Sequence, residues 1–135
     1  MTQTPRNIFL SARLGAVVLA GDLGVLVAFP FLGTMNHGDP VSLESFTRTV
    51  VPFAVAWLFV GAASTSFALP TIRSRTLILQ RVLVALVGSG VIAIAIRVTL
   101  FDRLFSLPFA IVAIIATTVL IAGWRLALAT ALSRR

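Results

Sequence analysis

Residues 104–124 read LFSLPFAIVAIIATTVLIAGW, a run of 21 residues without one charged side chain. A helix rises ~1.5 Å per residue and the hydrocarbon core of a bilayer is ~30 Å thick, so about 20 apolar residues are enough to cross it. This run meets that requirement on its own, and the rest of the chain is read by asking how often the requirement recurs.

Using charges as dividers, three further stretches qualify. Residues 14–33 contain a single charge, Asp22, and residues 50–69 contain none. Residues 78–97 are weaker, because the uncharged part, 82–96, is bounded by Arg81 and Arg97. Both arginines can lay their aliphatic stems along a helix and lift their guanidinium groups to opposite interfaces, which lengthens the usable span. The expectation is an all-α polytopic membrane protein: one domain over residues 1–135, with four transmembrane helices in an up-down-up-down bundle. The first stretch is read as a retained span and not a cleaved signal. It exceeds the ~7 to 15 residues of a signal core, carries Asp22, and is followed by no A-x-A-like site.

Composition agrees. Of 135 residues, 59% are hydrophobic and 11% charged, against roughly 25% charged in an average soluble domain. Mean hydropathy is +1.06. An ordinary soluble protein and a multidomain enzyme are both excluded. There is no cysteine, which removes disulfides, thiolate metal sites, iron–sulfur clusters and cysteine nucleophiles.

The links fit short antiparallel connections. Asn36, His37, Gly38, Asp39 and Pro40 form a turn-rich cluster, followed by a candidate helical extension over residues 42–48. Pro52 would kink or start the second helix, Pro70 would close it, and residues 71–75 read as a basic loop. Residues 98–103 make a link short enough to force the third and fourth helices to be antiparallel neighbours.

The net charge of +7 would suit a nucleic-acid binder, and all 11 basic residues are arginine. Their positions argue for topology instead. Arg6, Arg13, Arg73, Arg75, Arg81, Arg125, Arg134 and Arg135 fall on one side, and Arg48, Arg97 and Arg103 on the other, a bias of 8 to 3. Because arginine is enriched on the cytoplasmic side, both termini are expected in the cytoplasm, with the chain in the cytoplasmic membrane. Trp124 beside Arg125 reads as an interfacial anchor at the end of the fourth helix. Arginines near an anionic membrane surface each gain about 1 kcal/mol; any protein with this bias shares that attraction, so the count of arginines along the sequence does not by itself assign a lipid-binding function.

Asp22 is the most informative single residue. An acid at the centre of a membrane helix costs ~2.5 to 3.5 kcal/mol on the insertion scale, which the apolar residues around it offset at roughly 0.3 to 0.6 each. Counted from an entry near Leu14, it lies about 12 Å deep, and Ser64, Thr65, Thr117 and Thr118 lie at roughly 8 to 11 Å. Asp22, Ser64 and Thr117 are therefore candidates for one intramembrane polar layer, as an inter-helix hydrogen-bond hub or as a proton or substrate site. Arg97 is not an obvious partner for Asp22, since it belongs near the opposite face. His37 and Arg97 are candidates for binding on that outer side. A lone histidine beside one carboxylate is a poor zinc site, so His37 reads first as a turn or capping residue, with single axial ligation of a tetrapyrrole as the pigment alternative.

Small residues recur every fourth position at Ala12, Ala16, Ala20, Gly24 and Ala28, and again at Ala85, Ser89 and Ala93. In lipid such stripes let helix backbones approach closely. The simple expectation is packing within the bundle. No phosphate-cradling glycine loop, nucleophile elbow, paired carboxylates or HExxH-like pattern occurs, so neither a cofactor, a metal nor an enzymatic activity is expected.

The series Gly21-Asp22, Phe29, Gly33, His37-Gly38, Pro52-Phe53, Trp57, Arg97, Pro108-Phe109 and Trp124-Arg125 resembles a family of small prokaryotic four-helix membrane proteins classed as a domain of unknown function. The resemblance covers nearly the whole chain. It implies the fold, and that Asp22, His37, Trp57, Arg97 and Arg125 belong to the family's pattern; it carries no activity. The functional expectation is an accessory, assembly or structural subunit of a larger membrane complex. Its partners would be the lipid bilayer and other membrane subunits or itself, and no nucleic acid. The alternative is a small homo-oligomeric transporter or channel working through Asp22.

Overall fold

A computed structural model describes residues 5–37, 42–102 and 104–134. The described residues form α1 (Pro5–His37), α2 (Leu43–Ala63), the short α3 (Leu69–Arg73), α4 (Arg75–Leu100) and α5 (Leu107–Ser133), with no strand among them. Four of these helices are long and apolar enough to cross a membrane: α1 over Ala12–Gly33, and α2, α4 and α5 over their whole lengths. The all-α, four-span reading holds.

Local chemistry explains where the helix ends depart from the sequence expectation. The second helix starts at Leu43, before residue 50, so the candidate helical extension over residues 42–48 forms its first turns; the Ser42 hydroxyl caps it by accepting the Ser45 N–H at 3.0 Å. Glu44 sits in its first turn and pairs with Arg48 one turn on, a favourable charge order at a helix N-terminus. Pro52 is accommodated inside α2 and does not start it. The helix stops at Ala63, short of residue 69, in a turn where the Thr65 N–H bonds the Ala62 carbonyl (3.1 Å) and the Ser66 N–H bonds the Gly61 carbonyl (2.9 Å). That paired pattern is a Schellman motif. Pro70 does not close α2; it opens α3, where a missing N–H is harmless. The expected basic loop over 71–75 is thus mostly helical.

α4 begins at Arg75, with the Ser74 hydroxyl accepting the Leu77 N–H, and includes a π-helical turn over Ile78–Val82. Arg81 therefore lies inside this helix and does not bound it. α5 begins with Pro108 in its first turn and continues past residue 124 to Ser133. That extension carries Arg125 into the body of the bundle.

The four long helices form a closed ring. α2 packs most extensively on α4, α4 on α5, and α1 bridges α2 and α5. α3 lies across one end, against α1, α4 and α5. The core runs through Leu26, Phe53, Trp57, Ile78, Val82, Leu86, Ile94, Ala113 and Ile121. The two small-residue stripes part ways. Ala85, Ser89 and Ala93 are buried where α4 packs, as expected, whereas Ala12, Ala16, Ala20, Gly24 and Ala28 all face outward. The inward edge of α1 is instead Val18, Asp22, Leu26 and Pro30, again at a spacing of four.

Candidate functional site: a buried carboxylate held by three side chains

Asp22 lies midway along the apolar part of α1 and is completely buried. Four N–H groups converge on its carboxylate. Oδ1 accepts from Trp124 Nε1 at 2.9 Å and from Arg125 Nε at 3.1 Å. Oδ2 accepts from Trp57 Nε1 at 2.8 Å and from Arg125 Nη2. The guanidinium thus grips the carboxylate through two nitrogens, the fork geometry that makes arginine–carboxylate pairs strong and directional. With only 2% of its side chain exposed, Arg125 forms a buried ion pair with Asp22. Its remaining terminal nitrogen, Nη1, donates to the Ser66 carbonyl at 2.6 Å. One cluster therefore ties α1, α2, the turn after α2, and α5.

Aromatic rings wall the pair. The Arg125 guanidinium carbon lies 5.4 Å from the Trp57 ring centre and 5.3 Å from that of Phe67, within cation–π range. Trp57 and Phe67 meet edge to face at 5.7 Å. Two glycines make room for them. A side chain at Gly21 would run into the Trp124 ring, and one at Gly61 would meet the Phe67 ring at 2.8 Å. Gly21 therefore lets the Trp124 indole approach α1 beside Asp22, and Gly61, one turn after Trp57, lets Phe67 come against α2 next to Trp57.

Several expected site residues lie elsewhere. Ser64 bonds the Gly61 carbonyl and the Ser66 hydroxyl, and Thr117 donates back to the Ala113 carbonyl of its own helix at 2.6 Å. Neither hydroxyl is among the donors to Asp22; short side chains with a helix carbonyl in reach bond locally. Trp124 and Arg125, expected as interfacial anchors, both turn inward to Asp22. Arg97 is half-buried, with its guanidinium carbon 4.0 Å from the Phe109 ring centre, joining α4 to α5. His37 is the last residue of α1, and its side chain lies outside the described residues, so the outer-side binding expected of it falls there too. Among the described residues no group of three His, Cys, Asp or Glu could hold a metal ion.

Sequence reasoning missed the pairing because it ended the fourth span at Trp124 and so assigned Arg125 to the water interface. A signal was present. The chain has two tryptophans, each an N–H donor next to or within an apolar stretch that also has to accommodate one acid.

A ring of four helices of membrane-spanning length, closed by a carboxylate–guanidinium pair that two indoles complete, defines an all-helical bundle with a polar centre. The chain belongs to the family described as protein of unknown function DUF3054, whose model matches residues 19–128. That range includes Asp22, Trp57, Ser66, Trp124 and Arg125. No match to the chain was found among curated proteins or among solved structures.

Proposed function

We propose that the chain is an integral membrane protein without enzymatic activity of its own, serving as an accessory, assembly or structural subunit of a larger membrane complex. The observation that carries this reading is the saturation of Asp22. Each carboxylate oxygen accepts two N–H bonds from the same chain, so the residue with the most chemical potential is engaged in holding three helices together. A transporter working through Asp22 would need one of those oxygens free for a proton or substrate. The outward small-residue edge of α1, and large apolar side chains exposed on every long helix, suit packing against lipid and against other membrane helices.

Purification from native membranes in a mild detergent, with identification of co-purifying chains, tests the proposal. A partner recovered at fixed stoichiometry is expected, and a chain that always migrates alone counts against it. Asp22→Asn separates the two functional readings. It should preserve function wherever assembly is preserved, and loss of function in a normally assembled variant would favour the transporter.

The same reading puts the chain in the cytoplasmic membrane with both termini inside. What supports it is the arginine bias: Arg13, Arg73, Arg75, Arg81 and Arg134 are exposed towards one end. The chain lacks cysteine, so single introduced thiols report orientation directly. Ser42→Cys should react with a membrane-impermeant maleimide in intact cells, and Ser133→Cys only after permeabilisation.

A further inference from the structure

The connection between α2 and α4, residues 64–74, closes one end of the bundle, and exposed arginines surround it. Arg73 lies on α3, Arg75 and Arg81 on α4, Arg13 on α1, and Arg134 just beyond α5; all five are exposed. Contacts bring these elements to one end. Gly15 of α1 faces the Phe67 carbonyl, and a Cβ on Gly15 would lie in ordinary contact with that oxygen, at 3.8 Å. Arg81 Nη1 donates to Thr65 Oγ1 at 2.8 Å, and α5 reaches the same turn through Arg125 and the Ser66 carbonyl.

This belt has no acidic side chain to balance it. The chain's four acidic residues are Asp22, Asp39, Glu44 and Asp102. Asp22 is committed to Arg125. In sequence, the other three fall in or beside the α1–α2 and α4–α5 connections, away from residues 64–74, and Glu44 pairs with Arg48. Like charges gathered on one end repel one another and favour an anionic partner.

Thr65 adds a second, independent observation. It holds the left-handed position of the Schellman turn, with φ of 57°, where glycine is usual and a β-branched residue is strained. Its hydroxyl accepts from Arg81, which glycine could not offer. The strained residue thus fixes a guanidinium at the level of the turn.

The height of the belt indicates the chemistry of its partner. Arg13 follows Ala12, the first residue of the apolar part of α1, and Arg75 opens the apolar span of α4. Exposed apolar side chains, Val17, Leu79 and Val84 among them, continue from that level. A ligand fitted to both features has an anionic phosphate above and acyl chains below.

We propose that this end of the bundle binds anionic phospholipids, with Arg73, Arg75 and Arg81 contacting the phosphate. The planar guanidinium fork suits a phosphate's paired oxygens. The proposal rests on the membrane-spanning reading, so the first measurement is recovery of the full chain in carbonate-washed membranes. Native mass spectrometry of the detergent-solubilised protein then compares retention of phosphatidylglycerol and phosphatidylcholine with identical acyl chains. Phosphatidylglycerol should be preferred, and the preference should fall about fivefold per arginine in Arg73→Gln and Arg75→Gln and vanish when Arg81→Gln is added. Arg48→Gln, at the opposite end, should leave it unchanged, and intrinsic tryptophan emission like that of the wild type certifies that each variant is folded. Millimolar inorganic phosphate should not displace the lipid; displacement would mean a free-anion site and would overturn the lipid assignment. Equal retention of the two lipids, or an equal effect of Arg48→Gln, would also overturn it. Absence from washed membranes overturns both readings together.

Discussion

Trp57 and Trp124 donate their indole N–H groups to opposite oxygens of one carboxylate, Trp57 to Asp22 Oδ2 at 2.8 Å and Trp124 to Oδ1 at 2.9 Å. They are the two tryptophans of the chain. All intrinsic tryptophan emission therefore reports on the centre of the bundle.

Asp22→Leu should change the emission of both indoles, because both lose the same acceptor. Measured separately in Trp57→Phe and Trp124→Phe backgrounds, each remaining indole should respond to the loss of Asp22. A response in one background alone would contradict the shared acceptor. Each Trp→Phe change by itself removes one N–H donor to a buried charge and should lower stability by about 1 to 3 kcal/mol.

The Asp22–Arg125 pair should show the signature of buried ion pairs. Removing one partner strands a charge and costs about 3 to 5 kcal/mol, whereas replacing both with apolar groups of similar volume is far milder. Asp22→Leu and Arg125→Leu should each depress the melting temperature strongly, and the double variant should be much more stable than the sum of the two losses implies. Thermal unfolding in detergent measures this, and strict additivity would show that the two side chains are not energetically coupled.

Arg125→Lys retains the charge but lacks the fork. A single ammonium cannot span both carboxylate oxygens and the Ser66 carbonyl with the same geometry. We expect a loss of about 1.5 to 3 kcal/mol, the usual scale for hydrogen bonds to charged groups. Limited proteolysis should find the turn at residues 64–67 more accessible, since Arg125 Nη1 is the donor to Ser66.

Two glycines three residues apart on α1 should respond with opposite sign. A Cβ at Gly21 collides with the Trp124 ring, while one at Gly24 meets nothing within 4 Å. Gly21→Ala should destabilise by about 1 to 3 kcal/mol through overpacking. Gly24→Ala should stabilise by about 0.5 to 1 kcal/mol, because glycine is a poor helix former. Equal effects on unfolding would mean that α1 is rotated from the orientation described.

At Thr65, strain and hydrogen bonding oppose each other. Thr65→Gly removes a left-handed strain of about 1 kcal/mol together with the acceptor for Arg81, so its net effect on stability should be small. Thr65→Ala keeps the strain and loses the acceptor, and should be the less stable of the two by about 1 kcal/mol. Paired unfolding curves test this order, and a more stable alanine variant would contradict it.

Much of the fold is legible along the chain. Apolar runs and their charged borders mark four helices, and the brevity of the 98–103 link makes α4 and α5 antiparallel neighbours. Helix ends are less legible, because they are decided by caps: the extension over residues 42–48 is readable, but its union with the second span behind the Ser42 cap is not, and the Schellman turn at Thr65 stops α2 inside an apolar stretch. Asp22 is recognisable as the centre of a polar site from its depth alone. Its partners are not, since Ser64, Thr117 and Arg125 lie at depths that a count along the helix separates only by a turn or two.

Taken alone, the sequence determines the helical class, the number of spans and the asymmetry of arginine, because hydropathy and charge are summed residue by residue along a helix. The tertiary structure decides rotation. About 100° per residue turns Val18, Asp22 and Leu26 inward and Ala16, Ala20 and Gly24 outward. The same rotation brings Arg125 and both indoles onto one carboxylate. Which face of a helix is buried depends on neighbours distant in sequence, and here those neighbours are residues 35 and 103 positions away from Asp22.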